Sequence, residues 1–193
     1  MTLGADTMTV SAHKIHAVRG AAALYVSENV LKRRHLVPVL PGGGQESGFR
    51  SGTENVPAIA AFGVAATEGA RAIGERAEKV SALRALIENE VGDSVRINRP
   101  KKGIDSIINM TLPDIKSETM LNFLSGEGIC ISAGSACSAR SAGVSRALTA
   151  FGLPDSEADC SVRVSLSHLN TEDEVRAFCA LLKEGISRLA KIR

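Results

Sequence analysis

The stretch Thr7-Met8-Thr9-Val10-Ser11-Ala12-His13-Lys14 decides how the rest of the chain is read. T-M-T-V is a short run of strand-forming residues, and the polar S-A-H-K after it closes the run as a turn. That order puts Lys14 at the carboxyl end of a strand, with Ser11 and His13 beside it, able to donate hydrogen bonds to an anion. Ligands of α/β folds favour this edge of a sheet. Most lysines are solvated surface residues, and the pattern alone does not separate Lys14 from them. An edge of this kind is also where Schiff-base lysines are found, since partial desolvation makes a neutral amine available.

Working outward, A-A-A-L-Y-V at Ala21–Val26 reads as a buried strand closed by S-E-N. Two strands rarely stand alone, so another chain or segment is expected to complete their layer. Residues 41–55, P-G-G-G-Q-E-S-G-F-R-S-G-T-E-N, hold five glycines and form no regular element. Such loops serve where backbone must approach something closely. Thr53 to Asn55 then offer helix caps, with Pro57 in the first turn, where its missing N–H costs nothing. A long helix is predicted from there to about Glu90, interrupted or bent near Gly69 or Gly74. Beyond it, strands are predicted at 95–98, 106–112, 129–133 and 161–166, and helices at 117–125, 144–151 and 171–190. Thr171 and Glu174 open the last helix as a capping box. Strands alternating with helices after a connecting helix predict a compact α/β layer, separate from the N-terminal segment.

The chain of 193 residues has an ordinary globular composition, with 44% hydrophobic and 23% charged residues and a net charge of +2. Its basic residues are interspersed with acids, so no nucleic-acid stripe or membrane-binding face is expected. One Tyr and no Trp leave few platforms for stacking bases. No apolar run reaches the length of a membrane span, and the N-terminus lacks the pattern of a signal peptide. A cytoplasmic setting is the expectation.

None of the four cysteines, Cys130, Cys137, Cys160 and Cys179, sits in a C-x-x-C pair, and no histidine spacing complements them, so no metal is expected. Cys130 and Cys179 lie in apolar runs and read as core, and Cys160 reads as structural. Cys137 has Gly, Ser and Ala neighbours, the composition of a mobile exposed loop.

Taken together, S-A-H-K at Ser11–Lys14, R-S-G-T-E-N at Arg50–Asn55, G-S-A-C at Gly134–Cys137 and S-V-R-V-S-L at Ser161–Leu166 make the chain similar to the cysteine desulfurases of the NifS/IscS type. The likeness runs along essentially the whole chain. It implies the C-terminal half of a fold type I transferase dependent on pyridoxal 5'-phosphate (PLP). Residues 1–68 would end the PLP-binding large domain, and 69–193 would form the small α/β domain with the cysteine loop. Lys14 would bind the cofactor covalently and shuttle protons at the substrate's Cα. Ser11 and His13 would contact the cofactor's phosphate, and Thr53 the phosphate in the neighbouring subunit of a homodimer. Arg163 would clamp the carboxylate of the L-cysteine substrate, and Cys137 would be the nucleophile that takes up sulfur as a persulfide. The partners implied are a sulfur acceptor or iron–sulfur scaffold protein and a separately encoded N-terminal half.

The chain also departs from that family. Members are about twice this size, too large for a single core, and their upstream half supplies a phosphate loop, a ring-stacking histidine and an aspartate on the ring nitrogen. After K-I, most carry an aromatic and then G-P-K-G, where this chain reads H-A-V-R-G; their S-L-G reads S-L-S here. From the pattern alone Arg163 is equally an outward strand residue, Thr53 a helix cap and Cys137 an idle thiol. A non-catalytic remnant that binds partners and a selenocysteine lyase-like enzyme are the alternative functions.

Overall fold

The computed structural model describes residues 3–133 and 145–190. The chain divides into two compact units, Met1–Ile73 and Gly74–Arg193. The second unit is built on a three-stranded antiparallel sheet ordered β3 (Arg96–Ile97), β4 (Ile107–Thr111), β5 (Ser161–Ser165). Alternation sends Ile108 and Met110 of β4 and Val162 and Val164 of β5 inward. The helices α3 (Ile73–Val91), α4 (Ser117–Gly126) and α7 (Glu172–Leu189) supply most of the rest of the core, with Val95, Leu112 and Ile115 from the connecting segments. Leu83, Ile87 and Val91 repeat along α3, and Val175, Phe178, Cys179 and Leu182 along α7, with the three-and-four spacing of one helical face.

Two details fix this packing. A Cβ on Gly185 of α7 would lie 2.9 Å from Met120 Sδ and from the Phe123 ring of α4, so only glycine allows that approach. Arg84 of α3 is buried, and its charge is answered locally. Its Nε donates to Glu88 Oε1 at 2.7 Å, and Nη1 donates to the Ile107 and Ile104 carbonyls at 3.1 and 3.3 Å. The predicted capping box is present: Glu174 N–H donates to Thr171 Oγ1 at 3.2 Å, and Thr171 N–H to Glu174 Oε2 at 3.0 Å. These bonds from the Thr171 backbone and Asn170 hold the Glu174 carboxyl below its ordinary pKa.

The first unit pairs β1 (Thr7–Ser11) with β2 (Ala22–Val26) in an antiparallel ribbon, Ser11 opposite Ala22. A short helix α1 (Glu28–Lys32) follows, its first turn capped by Ser27 accepting from Val30 N–H at 3.4 Å. The 16-residue α2 (Val56–Arg71) is capped by Asn55, which accepts from Ala58 N–H at 3.2 Å. Among the described residues, Ala12 and Ala58 are the buried hydrophobic residues of this unit. Ala21–Val26 was expected as a buried strand, but Leu24 and Tyr25 are each 52% exposed. A two-stranded ribbon has no further layer within the unit to cover its apolar residues.

The interruption expected near Gly69 or Gly74 falls between them, at Ala72, where α2 ends and α3 begins. Other sequence expectations are corrected. Residues 129–133 form no strand; a single antiparallel bridge joins Ser132 to Arg163. Cys130 is exposed rather than core, while its neighbours Ile129 and Ile131 pack against the core; alternation in an extended segment turns Cys130 away. The two short helices α5 (Arg146–Ala150) and α6 (Asp155–Asp159) precede β5, and the second of them was not foreseen. No single helix is long and apolar enough to cross a membrane among the described residues.

Candidate functional site

In the first unit, β1 ends at Ser11 and the chain turns through a 3-10 segment, Ala12–Ile15. Ala12 is buried and anchors the turn: its N–H donates to the Ala21 carbonyl at 3.1 Å and its carbonyl accepts from Ala17 N–H at 3.1 Å. His16, at φ 66°, ends the turn in the left-handed region. This framing leaves His13 and Lys14 exposed on one short segment, and the Ser11 hydroxyl makes no capping bond. Three donors of an anion or carbonyl ligand therefore leave one strand end together.

The glycine-rich loop is held by its own contacts. Ser51 N–H donates to the Leu40 carbonyl at 3.1 Å, and Gly52 N–H donates to Gln45 Oε1 at 3.2 Å. A Cβ at Gly52, where φ is 121°, would fall 2.5 Å from Arg50 Nη1, which donates to the Ser51 carbonyl. Thr53 is exposed directly after it and is not the helix cap, a role that Asn55 takes. Ser51 Oγ is buried with no hydrogen-bond partner among the described residues. A buried hydroxyl without a partner is costly, and a ligand oxygen would relieve it.

The second unit places Arg163 on β5, directly opposite Asn109 of β4 and on the sheet face away from the core. That face carries a polar belt that sequence reading missed. Asn98 Nδ2 donates to Asn109 Oδ1 at 2.7 Å and to Thr111 Oγ1 at 2.8 Å. Thr111 and Ser161 share a hydrogen bond of 2.9 Å, and Ser161 Oγ donates to the Glu157 carbonyl at 2.7 Å. Arg96 pairs with Glu157, and the hydrogen bond between them raises the pKa of the arginine and lowers that of the carboxyl. The signal was present in the alternate polar positions 109, 111, 161 and 163.

Arg163 differs from its neighbours on this face. Its Nη2 donates to Ser132 Oγ at 3.4 Å, and its Nε is buried with no hydrogen-bond partner among the described residues. A guanidinium with an unanswered, desolvated donor is prepared for a planar anion such as a carboxylate. Cys137 lies outside the described residues. Burial pushes the Cys179 thiol up to about 11, so it stays protonated near neutral pH. No group of three or more His, Cys, Asp or Glu side chains gathers as a metal site among the described residues.

The structure thus groups Ser11, His13 and Lys14 on one turn and puts Thr53 on a separate loop of the same unit; Arg163 belongs to the other unit. On that turn, an amine for an aldehyde and hydroxyl and imidazole donors for a phosphate make a donor set that fits PLP.

Comparison with known proteins adds to this. Residues 1–178 match the family described as Aminotransferase class-V. The chain is 37% identical to cysteine desulfurase IscS 1 of Archaeoglobus fulgidus, over 97% of this chain and 49% of the relative. It is also 37% identical to cysteine desulfurase 2 of Trichormus variabilis, over 99% of this chain and 48% of the relative. Among solved structures, a NifS-like protein from Rickettsia africae superposes with a TM-score of 0.84 at 34% identity, covering 96% of this chain and 48% of that one. The chain spans about half the length of the curated relatives it matches.

Proposed function

This chain belongs to the aminotransferase class-V family, and we propose that it supplies the C-terminal half of a PLP-dependent cysteine desulfurase feeding iron–sulfur cluster assembly. The observation that carries the reading is the exposed Lys14 amine on the turn after β1, flanked by Ser11 and His13. In this reading residues 1–68 end the cofactor domain and 69–193 form the small domain. Bound PLP supplies an electron sink for chemistry at the Cα of an amino acid.

The residues then divide the work. Lys14 holds the cofactor and moves the proton at the substrate Cα, while Ser11 and His13 hold the phosphate. Thr53 reaches the phosphate of the neighbouring subunit in a homodimer. Arg163 orients L-cysteine by its carboxylate, a task suited to its Nε, which has no partner among the described residues. The Cys137 thiolate attacks the substrate sulfur; the sulfur–sulfur bond forms as the carbon–sulfur bond breaks, and its electron pair leaves with the carbon, which is protonated to give alanine. Cys137 keeps the sulfur as a persulfide and passes it to an acceptor or scaffold protein. The weakly buried β1–β2 ribbon supports a further layer, the N-terminal half of a full-length family member, that covers it.

The test is reductive trapping. The chain is mixed with PLP, with and without a candidate N-terminal half, reduced with borohydride, and mapped by mass spectrometry, while alanine release from cysteine is followed. Label on Lys14, and alanine formed only in the mixture and lost in Lys14→Ala and Cys137→Ala, are expected. Label spread over surface lysines with no alanine from any mixture would overturn the reading.

A further inference from the structure

The contact between Ser132 and Arg163 does more than tie an extended segment to β5. The two residues exchange both backbone bonds: Arg163 N–H donates to the Ser132 carbonyl at 2.6 Å, and Ser132 N–H donates to the Arg163 carbonyl at 3.1 Å. A pair that exchanges both bonds sets its side chains next to each other on one face of the sheet. From there Ser132 Oγ accepts a hydrogen bond from the guanidinium at Nη2, at 3.4 Å. In an arginine, Nε and Nη2 form one edge of the planar fork, the edge that grips a carboxylate side-on. Nη2 carries two N–H donors and Ser132 takes one of them, while Nε stays buried and unpartnered among the described residues. The other polar groups of this face are spent elsewhere: Asn109 donates to the Val162 carbonyl and accepts from Asn98.

We propose that Ser132 is the positioning residue of Arg163, fixing the rotation of its guanidinium so that the Nε edge is presented to the carboxylate of the substrate. The inference deepens the carboxylate role given to Arg163 above and rests on it. Losing one hydrogen bond of this kind should weaken carboxylate binding about 3- to 10-fold.

The test uses the full chain with arginine side chains labelled with nitrogen-15, and acetate as the probe carboxylate. The Nε–H signal of Arg163 is assigned by its disappearance in Arg163→Lys. Acetate should shift this signal saturably in the unchanged chain; Ser132→Ala should need 3- to 10-fold more, and Ser132→Thr, which keeps the hydroxyl, should recover most of the loss. Backbone spectra that retain the β4–β5 pattern show that each variant is folded. Equal acetate dependence in the unchanged chain and Ser132→Ala, or no recovery in Ser132→Thr, would overturn the proposal. An unchanged chain blind to acetate would count instead against the carboxylate role of Arg163. Ser132 is then judged by Nε–H relaxation: faster motion in Ser132→Ala upholds the positioning role, and equal motion refutes it.

Discussion

Residues 74–190 bury a continuous core running from Leu83 to Leu182, whereas residues 3–73 bury little beyond Ala12 and Ala58. Val37 and Val39 of the first unit are 76% and 88% exposed, and Val64 on α2 is 64% exposed. The two units draw on the same kinds of residue, so composition does not explain the contrast. The number of layers does: three helices cover one face of the β3–β5 sheet, while among the described residues no comparable layer buries the apolar residues of the β1–β2 ribbon. Stability in this chain thus resides in one unit, and the candidate cofactor residues Ser11, His13, Lys14 and Thr53 reside in the other. A site built on the weaker unit needs additional buried surface before it holds its geometry.

Substitutions at matched apolar positions should break or sharpen this contrast. The largest effect is expected at Leu182, fully buried on α7. Leu182→Ala should cost about 2–5 kcal/mol in a denaturant titration, whereas Leu24→Ala on β2 should stay within about 0.5 kcal/mol. A comparable loss at both would place core function in the first unit. Next comes Gly185→Ala, which forces a methyl against Met120 and Phe123 and should cost about 1–3 kcal/mol by the same measurement.

A smaller effect belongs to the helix cap. Thr171→Ala should cost about 1 kcal/mol. Because the Glu174 carboxyl is held below its ordinary value, its contribution is present above the usual carboxylate range and is lost as pH falls through the lowered folded value. The gap between the unchanged chain and Glu174→Gln should therefore close in acid, as read from melting curves at several pH values. A gap that widens in acid would refute that assignment. The smallest effect on the fold comes from probing thiols. Exposed Cys130 should take up an alkylating reagent readily in the native chain, and Cys179, buried and pushed up to about 11, should react only as the second unit opens.

Sequence made the second unit the easier to read. Alternation at Ile108, Met110, Val162 and Val164 and helical spacing in α7 both follow from burying one face, so they leave a pattern. The Thr171–Glu174 box is equally local and was legible. The exposure of Leu24 and Tyr25 was not, because a strand sequence records which residues are apolar and not whether a layer exists to cover them. The short helices α1 and α6 fell below the length at which periodicity can be recognised. Within the candidate site, Lys14 and Arg163 were singled out by motif, while Ser132 was not, because its role depends on a bridge between segments 31 residues apart.

Native-state hydrogen exchange on the chain alone tests the central contrast most directly. The account predicts that amides of β4, β5 and α7 exchange only by global unfolding of the second unit, and that those of β1 and β2 exchange orders of magnitude faster. Equal protection of β1, β2 and β4 would contradict it, since the first unit would then hold a core of its own.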